Sequence, residues 1–210
     1  MKPFRPVITL LAALFVAVMG AVPASWSADA QPGPKAVIED TINRIIDVLN
    51  ARQDKSRLVE ADRDAIRKIV TGRFDYEAMA SRSLGQPWKE LDAKERQHFT
   101  EVFRELLERS YGNRLGTYKG QTVTFGDVEI RGDKARILTT ASDGVKNTPI
   151  EYRMHQTPTG WQVYDIIVEG ASLVRTFYQD FQGQLEKGSY QELVKSLEDR
   201  IAKLKAQDSA

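Results

Sequence analysis

The hydrophobic period of this chain changes twice, and that change limits the folds open to it. From Val37 to Tyr111 apolar residues recur at three- and four-residue spacing. From Gln121 to Val168 they alternate, and after Ala171 the helical spacing returns. Helices, one block of strands, then helices again predict an α+β fold, with helices packed around a four-stranded antiparallel sheet.

Local signals place the elements. Val37, Ile38, Ile42, Ile45, Ile46 and Leu49 mark a first helix ending near Arg52, and a second runs from Glu60 to Val70. Asp75 is placed to cap a short helix through Leu84, stopped by Gly85 and Pro87. Asp92 with Glu95 reads as a capping box ahead of Phe99, Val102, Phe103, Leu106, Leu107 and Tyr111. The glycines of Gly112-Asn113-Arg114-Leu115-Gly116 read as that helix's stop, since the segment lacks the lysine and preceding strand of a phosphate loop.

Turns at Arg131-Gly132-Asp133, Ser142-Asp143-Gly144 and Thr157-Pro158-Thr159-Gly160 divide the alternating block into a meander. Helix resumes from about Ala171 to Leu185, pauses at Gly188, and returns through Leu204.

The last strand is unusual in being apolar on both faces. Trp161, Val163 and Ile167 alternate with Tyr164, Ile166 and Val168, so a second apolar partner is needed, either a further helix layer or a ligand. Asp165 interrupts the first set, whereas the second is unbroken after Gln162. An ionised carboxylate along an apolar tunnel is costly unless paired, so the Tyr164, Ile166, Val168 face is expected to line any pocket.

Residues 1 to about 24 read as a signal peptide: Lys2 and Arg5 precede an apolar run from Val7 to Val18, followed by small residues at Val22-Pro23-Ala24. Ala28-Asp29-Ala30 offers a later cut, leaving a domain expected over 31–206, in one piece or as two closely packed lobes. The sequence has no cysteine, which removes disulfides, thiolate metal sites and a thiol nucleophile. Its 30 Lys+Arg against 29 Asp+Glu become 28 against 29 without Lys2 and Arg5. No clustered basic excess suggests nucleic acid, and only transient contact with a membrane is expected.

Candidates for chemistry are few. His98 and His155 stand on polar faces of a helix and a strand, with no ligand-spaced partner. Gly170-Ala171-Ser172 begins like a hydrolase elbow, but Val174 replaces the second glycine, so Ser172 reads as a helix cap. Asp165 and Glu169, four apart in a strand, would lie ~13 Å apart at ~3.3 Å per residue, beyond the ~9.5 Å limit of a paired-carboxylate hydrolase. Asp165 is expected to accept hydrogen bonds from neighbouring backbone or tyrosine groups, with Glu169 preceding a helix. No catalytic residue, metal or cofactor is expected; the alternative is a small isomerase- or hydrolase-like enzyme using Asp165 or Tyr164.

Two blocks carry a family resemblance. One is Phe74-Asp75-Tyr76-Glu77-Ala78-Met79-Ala80 with Leu84-Gly85 and Trp88, continuing through Phe99–Leu107 to Tyr111-Gly112. The other is the run from Trp161 to Arg175, with Tyr178 and Phe181 beyond. Together they resemble the MlaC, or toluene-tolerance (Ttg2-type), family of periplasmic phospholipid-binding proteins, although Ala171 and Thr176 depart from residues frequent there.

The resemblance implies a deep apolar pocket that holds acyl chains and leaves the head group outside. It also implies a periplasmic carrier passing glycerophospholipid between an outer-membrane lipoprotein complex and an inner-membrane ABC transporter, to maintain outer-membrane lipid asymmetry. A monomer is expected. The expected lining comprises Phe74, Met79, Leu84, Phe99, Phe103, Leu106, Leu107 and Tyr111 before the strands, and Ile150, Tyr152, Tyr164, Ile166 and Val168 within them. Leu173, Val174, Phe177, Tyr178 and Phe181 complete it.

Overall fold

The computed structural model describes residues 31–209. The expected signal peptide lies outside them. Helix α1 (Pro34–Ala51) opens with proline in its first turn, where the missing N–H costs nothing. Helices α2 (Glu60–Val70) and α3 (Tyr76–Leu84) follow. A 3₁₀ turn at Gln86–Lys89 leads to α4 (Ala93–Gly116). The Asp75 carboxylate accepts the Ala78 N–H at 2.8 Å, and Asp92 and Glu95 exchange hydrogen bonds at 2.8 and 2.9 Å, as the caps predicted. Helix α4 runs through Gly112 and ends at Gly116, within the segment expected to stop it. Arg63 of α2 lies against Gly112, with its guanidinium 2.5 Å from where a Cβ would stand, so that glycine serves close helix packing.

The strands are β1 (Thr122–Arg131), β2 (Lys134–Ser142), β3 (Asn147–Thr157) and β4 (Gly160–Val168), with a two-residue β5 (Ala171–Ser172). They form one antiparallel sheet in sequence order, five strands rather than four. The added strand follows a two-residue turn in which Glu169 and Gly170 both have positive φ, at 51° and 83°. This pattern is common in tight hairpins, but usually with asparagine or aspartate before the glycine, so glutamate at this position hides the turn from a reading of residue types. Helices α5 (Leu173–Leu185) and α6 (Tyr190–Ser209) complete the chain.

Two apolar clusters organise these elements. A helical core joins α3, α4, α5 and α6 around Met79, Leu84, Phe99, Phe103, Leu106 and Phe181, all fully buried. The second packs Val37 and Ile38 of α1 on one face of the sheet, against Ala135, Ile137, Met154, Trp161 and Val163. Buried charge ties the helices together. Arg63 of α2 and Arg109 of α4 both reach Asp208 near the end of α6, at 3.0 and 3.1 Å. Arg109 also holds Glu60. Deleting one partner of such a buried set typically costs ~3–5 kcal/mol.

Candidate functional site

Strand register decides which residues share a face, and β4 does not alternate simply. Met154 pairs with Val163, Arg153 with Asp165, and Tyr152 with Ile166, so Tyr164 is an extra, bulged residue. An inserted residue shifts the phase of everything beyond it. Val163 therefore joins Ile166 and Val168 on the face shared with Met154, Tyr152 and Ile150, while Asp165 and Ile167 lie on the opposite face with Arg153 and Glu151.

This corrects the two faces read from alternation. Trp161 and Val163 are buried in the sheet cluster, but Asp165 and Ile167 are buried on the other side. Tyr164 leaves the Ile166 and Val168 set: its ring lies 5.3 Å from that of His155 and 4.7 Å beneath the Arg82 guanidinium.

The expected lining residues separate into two groups. Met79, Leu84, Phe99, Phe103, Leu106, Leu107, Val174, Phe177 and Phe181 are buried in the helical core, with Leu173 and Tyr111 packed against it. Their rings contact one another at 5.3–6.5 Å. Tyr178 is 41 % exposed and lies across Gly85, where φ is +73° and a Cβ would come within 2.7 Å of the ring. Tyr152 and Ile166 pack at the margin of the sheet cluster, with Ile150 and Val168 beside them in register. Phe74 alone among the expected residues packs against both clusters.

Burial grades along this face. Ala135, Met154, Trp161 and Val163 are buried beneath the start of α1, whereas Ile150, Tyr152, Ile166 and Val168 are only half-buried. The far end of α1 is pinned by Arg52, whose guanidinium donates to the carbonyls of Tyr118 and Leu115 at 2.7 and 3.4 Å, beside the start of β1. Half-buried Ile42, Phe125 and Val128 also border the sheet cluster. A second bulge, at Gly126 and Asp127, lies between Phe125 and Val128 and brings both to this face.

Burial pushes the Tyr152 phenol up to about 12, opposed by a hydrogen bond with Thr139, yet Tyr152 keeps accessible surface. Tyr76 behaves similarly, its phenol raised chiefly by burial and then by Glu108.

Polar groups near β4 are engaged. Asp165 accepts the Ser172 hydroxyl at 2.7 Å and the Val174 N–H at 3.2 Å, and Ser172 accepts the Arg175 N–H at 3.1 Å as the cap of α5. Asp165 thus has the expected backbone partner, with a serine in place of a tyrosine. His98 is exposed and lies 3.1 Å from Glu198. His155, expected on a solvated face, is instead half-buried, with Nε2 2.8 Å from Asp75 Oδ2. Among the described residues no cluster of three or more His, Cys, Asp or Glu could hold a metal ion, and no helix is long and apolar enough to cross a membrane. Two surface grooves lie between α4 and α6, rimmed by Lys94, Glu95, His98, Lys195 and Glu198 on one side and Glu101, Arg104 and Lys205 on the other; neither includes an expected lining residue.

Comparison with known proteins places this arrangement. A relative from Haemophilus influenzae, named intermembrane phospholipid transport system binding protein MlaC, is 24% identical over 82% of this chain and 84% of its own. The toluene tolerance protein ttg2D of Pseudomonas putida is 23% identical over 73% and 74%. Among solved structures, a phospholipid-binding protein from Ralstonia solanacearum in complex with a phospholipid superposes with a TM-score of 0.75 at 21% identity. That match covers 82% of this chain and 99% of the other, and so establishes a shared fold. The model of the MlaC protein family matches residues 39–199, most of the described chain, and the chain belongs to that family.

Proposed function

We propose that this protein is a periplasmic phospholipid carrier, the soluble binding component of an intermembrane transport system. The observation that carries the reading is the half-buried apolar face of β3 and β4 beneath α1, in which Tyr152 is deep yet accessible. The acyl chains lie in this cleft, along Ile150, Tyr152, Ile166 and Val168, with Phe74 at its inner end. The expected lining residues of the helical core form the packed wall behind it. The names of the relatives from Haemophilus and Pseudomonas, and the lipid bound to the Ralstonia protein, support the same ligand class.

A water-borne carrier must hide nearly all of its cargo. At ~0.8 kcal/mol per CH₂, two chains of about thirty methylenes together would cost on the order of 20 kcal/mol to expose. The cleft need not bind more tightly than a bilayer, because both are apolar, and a carrier that gained much over the membrane could not unload. Its partners are an inner-membrane ABC transporter complex and an outer-membrane lipoprotein complex, with residues 1 to about 24 directing export. It performs no covalent chemistry: Asp165 and Ser172 are engaged in holding α5. Protein purified from a periplasmic extract without detergent should yield near-stoichiometric glycerophospholipid on solvent extraction and mass analysis. Well-folded protein yielding only traces would overturn the reading.

A further inference from the structure

The short segment Arg73–Asp75, just before α3, is held against β4. The Asp75 N–H donates to the Val163 carbonyl at 2.9 Å and the Val163 N–H to the Arg73 carbonyl at 2.8 Å, an isolated parallel bridge centred on Phe74. Neighbouring side chains of an extended segment leave opposite faces. Phe74 accordingly packs against both apolar clusters and stacks on Tyr76 at 5.9 Å. The Asp75 carboxylate does two things: Oδ1 accepts the Ala78 N–H that opens α3, and Oδ2 lies 2.8 Å from His155 Nε2 on β3. The His155 ring is backed by Tyr164 at 5.3 Å, which Arg82 covers.

Phe74 therefore stands beside Val163, at the fully buried end of the β4 face, while Val168 lies at the half-buried end. With Tyr164 bulged out, those ends face Met154 and Ile150, four residues apart on β3, so the distance between them is ~13 Å at ~3.3 Å per residue, the reach of an extended medium-length acyl chain. A single bridge holds a backbone segment weakly. Asp75–His155, at 2.8 Å, adds a side-chain attachment of the same segment to β3.

Resting on the carrier reading, we infer that the Asp75–His155 hydrogen bond is a positioning clamp that sets the Phe74 ring as the end wall of the acyl cleft. His155 touches no lipid, but through Asp75 it selects the length of chain the cleft accepts. Loosening the clamp lets the ring withdraw and longer chains enter.

The test compares the unmodified protein with His155→Ala, His155→Gln and Phe74→Trp, each purified without detergent, by the acyl-chain distribution of the extracted phospholipid and by thermal melting. His155→Ala should shift the distribution toward longer chains, the ratio of species differing by one buried methylene changing about fourfold. His155→Gln, whose amide nitrogen can donate to Asp75 from nearly the same place, should restore it. Phe74→Trp leaves the clamp intact and should shift the distribution toward shorter chains, which decides the matter even if the alanine variant does not fold. An unchanged distribution in folded His155→Ala or in Phe74→Trp overturns the inference, as does a glutamine variant that behaves like alanine. Unmodified protein free of lipid would overturn the carrier reading itself, and is judged from that sample alone.

Discussion

Replacing Asp165 by alanine should melt the junction between the sheet and α5 well before the rest of the protein needs to give way. Asp165 is 5% exposed, accepts the Ser172 hydroxyl at 2.7 Å and the Val174 N–H at 3.2 Å, and has the Arg153 guanidinium 3.9 Å away. Alanine leaves a buried N–H and a hydroxyl without their acceptor. Hydrogen bonds to a charged group are worth ~1.5–3 kcal/mol each. The longer of the two argues for the lower half of that range, so the loss should be ~3–4 kcal/mol. At ~2–4 °C per kcal/mol for a chain of this size, the melting temperature should fall by ~6–16 °C. Asparagine is the control, since its carbonyl can still accept from Val174 and its amide can donate to Ser172 Oγ, limiting the loss to ~1–2 kcal/mol. Calorimetric melts should use lipid-stripped protein, because a bound ligand adds its own stabilisation by mass action. An alanine variant melting within ~2 °C of the parent would refute the reasoning, and so would an asparagine variant as unstable as alanine.

Adjacent isoleucines on β4 should respond in opposite ways to aspartate. Ile166→Asp, on the half-buried face, should give a folded protein without lipid, because the charge is hydrated once the cleft empties. Ile167→Asp, 8% exposed on the other face beside β5, should cost ~2–5 kcal/mol of stability from lost burial alone. Circular-dichroism melts with lipid extraction check both, and the reverse pattern would show the register to be misread. Tyr152 should make stability fall at high pH. Its phenol is raised in the folded state to about 12 from an ordinary 10.0, so its contribution is complete below pH 10 and is lost as pH climbs through about 12. The loss is at most ~2.7 kcal/mol, and Tyr152→Phe should remove that part of the alkaline decline in denaturant titrations between neutral pH and pH 12.

Much of the local structure was legible because its causes are local. Asp75, the Asp92–Glu95 pair and Ser172 each cap the helix that begins beside them, and a side chain that bonds an N–H three residues on can be recognised from spacing alone. The alternation from Gln121 to Val168 likewise gave four strands in their order, since tight turns leave antiparallel neighbours little choice.

The candidate site was less legible. Alternation assigns faces only along an unbroken ladder, and the bulge at Tyr164 moves Val163 to the side of Ile166 and leaves Asp165 and Ile167 on the opposite face. Whether Phe99 and Phe181 face a ligand or one another depends on which helices meet, and their rings meet at 5.9 Å in the helical core. His155 looked solvated because strand period alone says nothing of the segment from Arg73 to Asp75 that crosses over it. The sequence by itself determined the helices, the four long strands, the caps and their order, because these depend on neighbours a few residues away. The two-sided partition of β4, the packing of Phe99, Phe103 and Phe181 on one another, and the Asp75–His155 contact were decided only by tertiary structure, because each depends on groups that strand pairing and helix packing bring together.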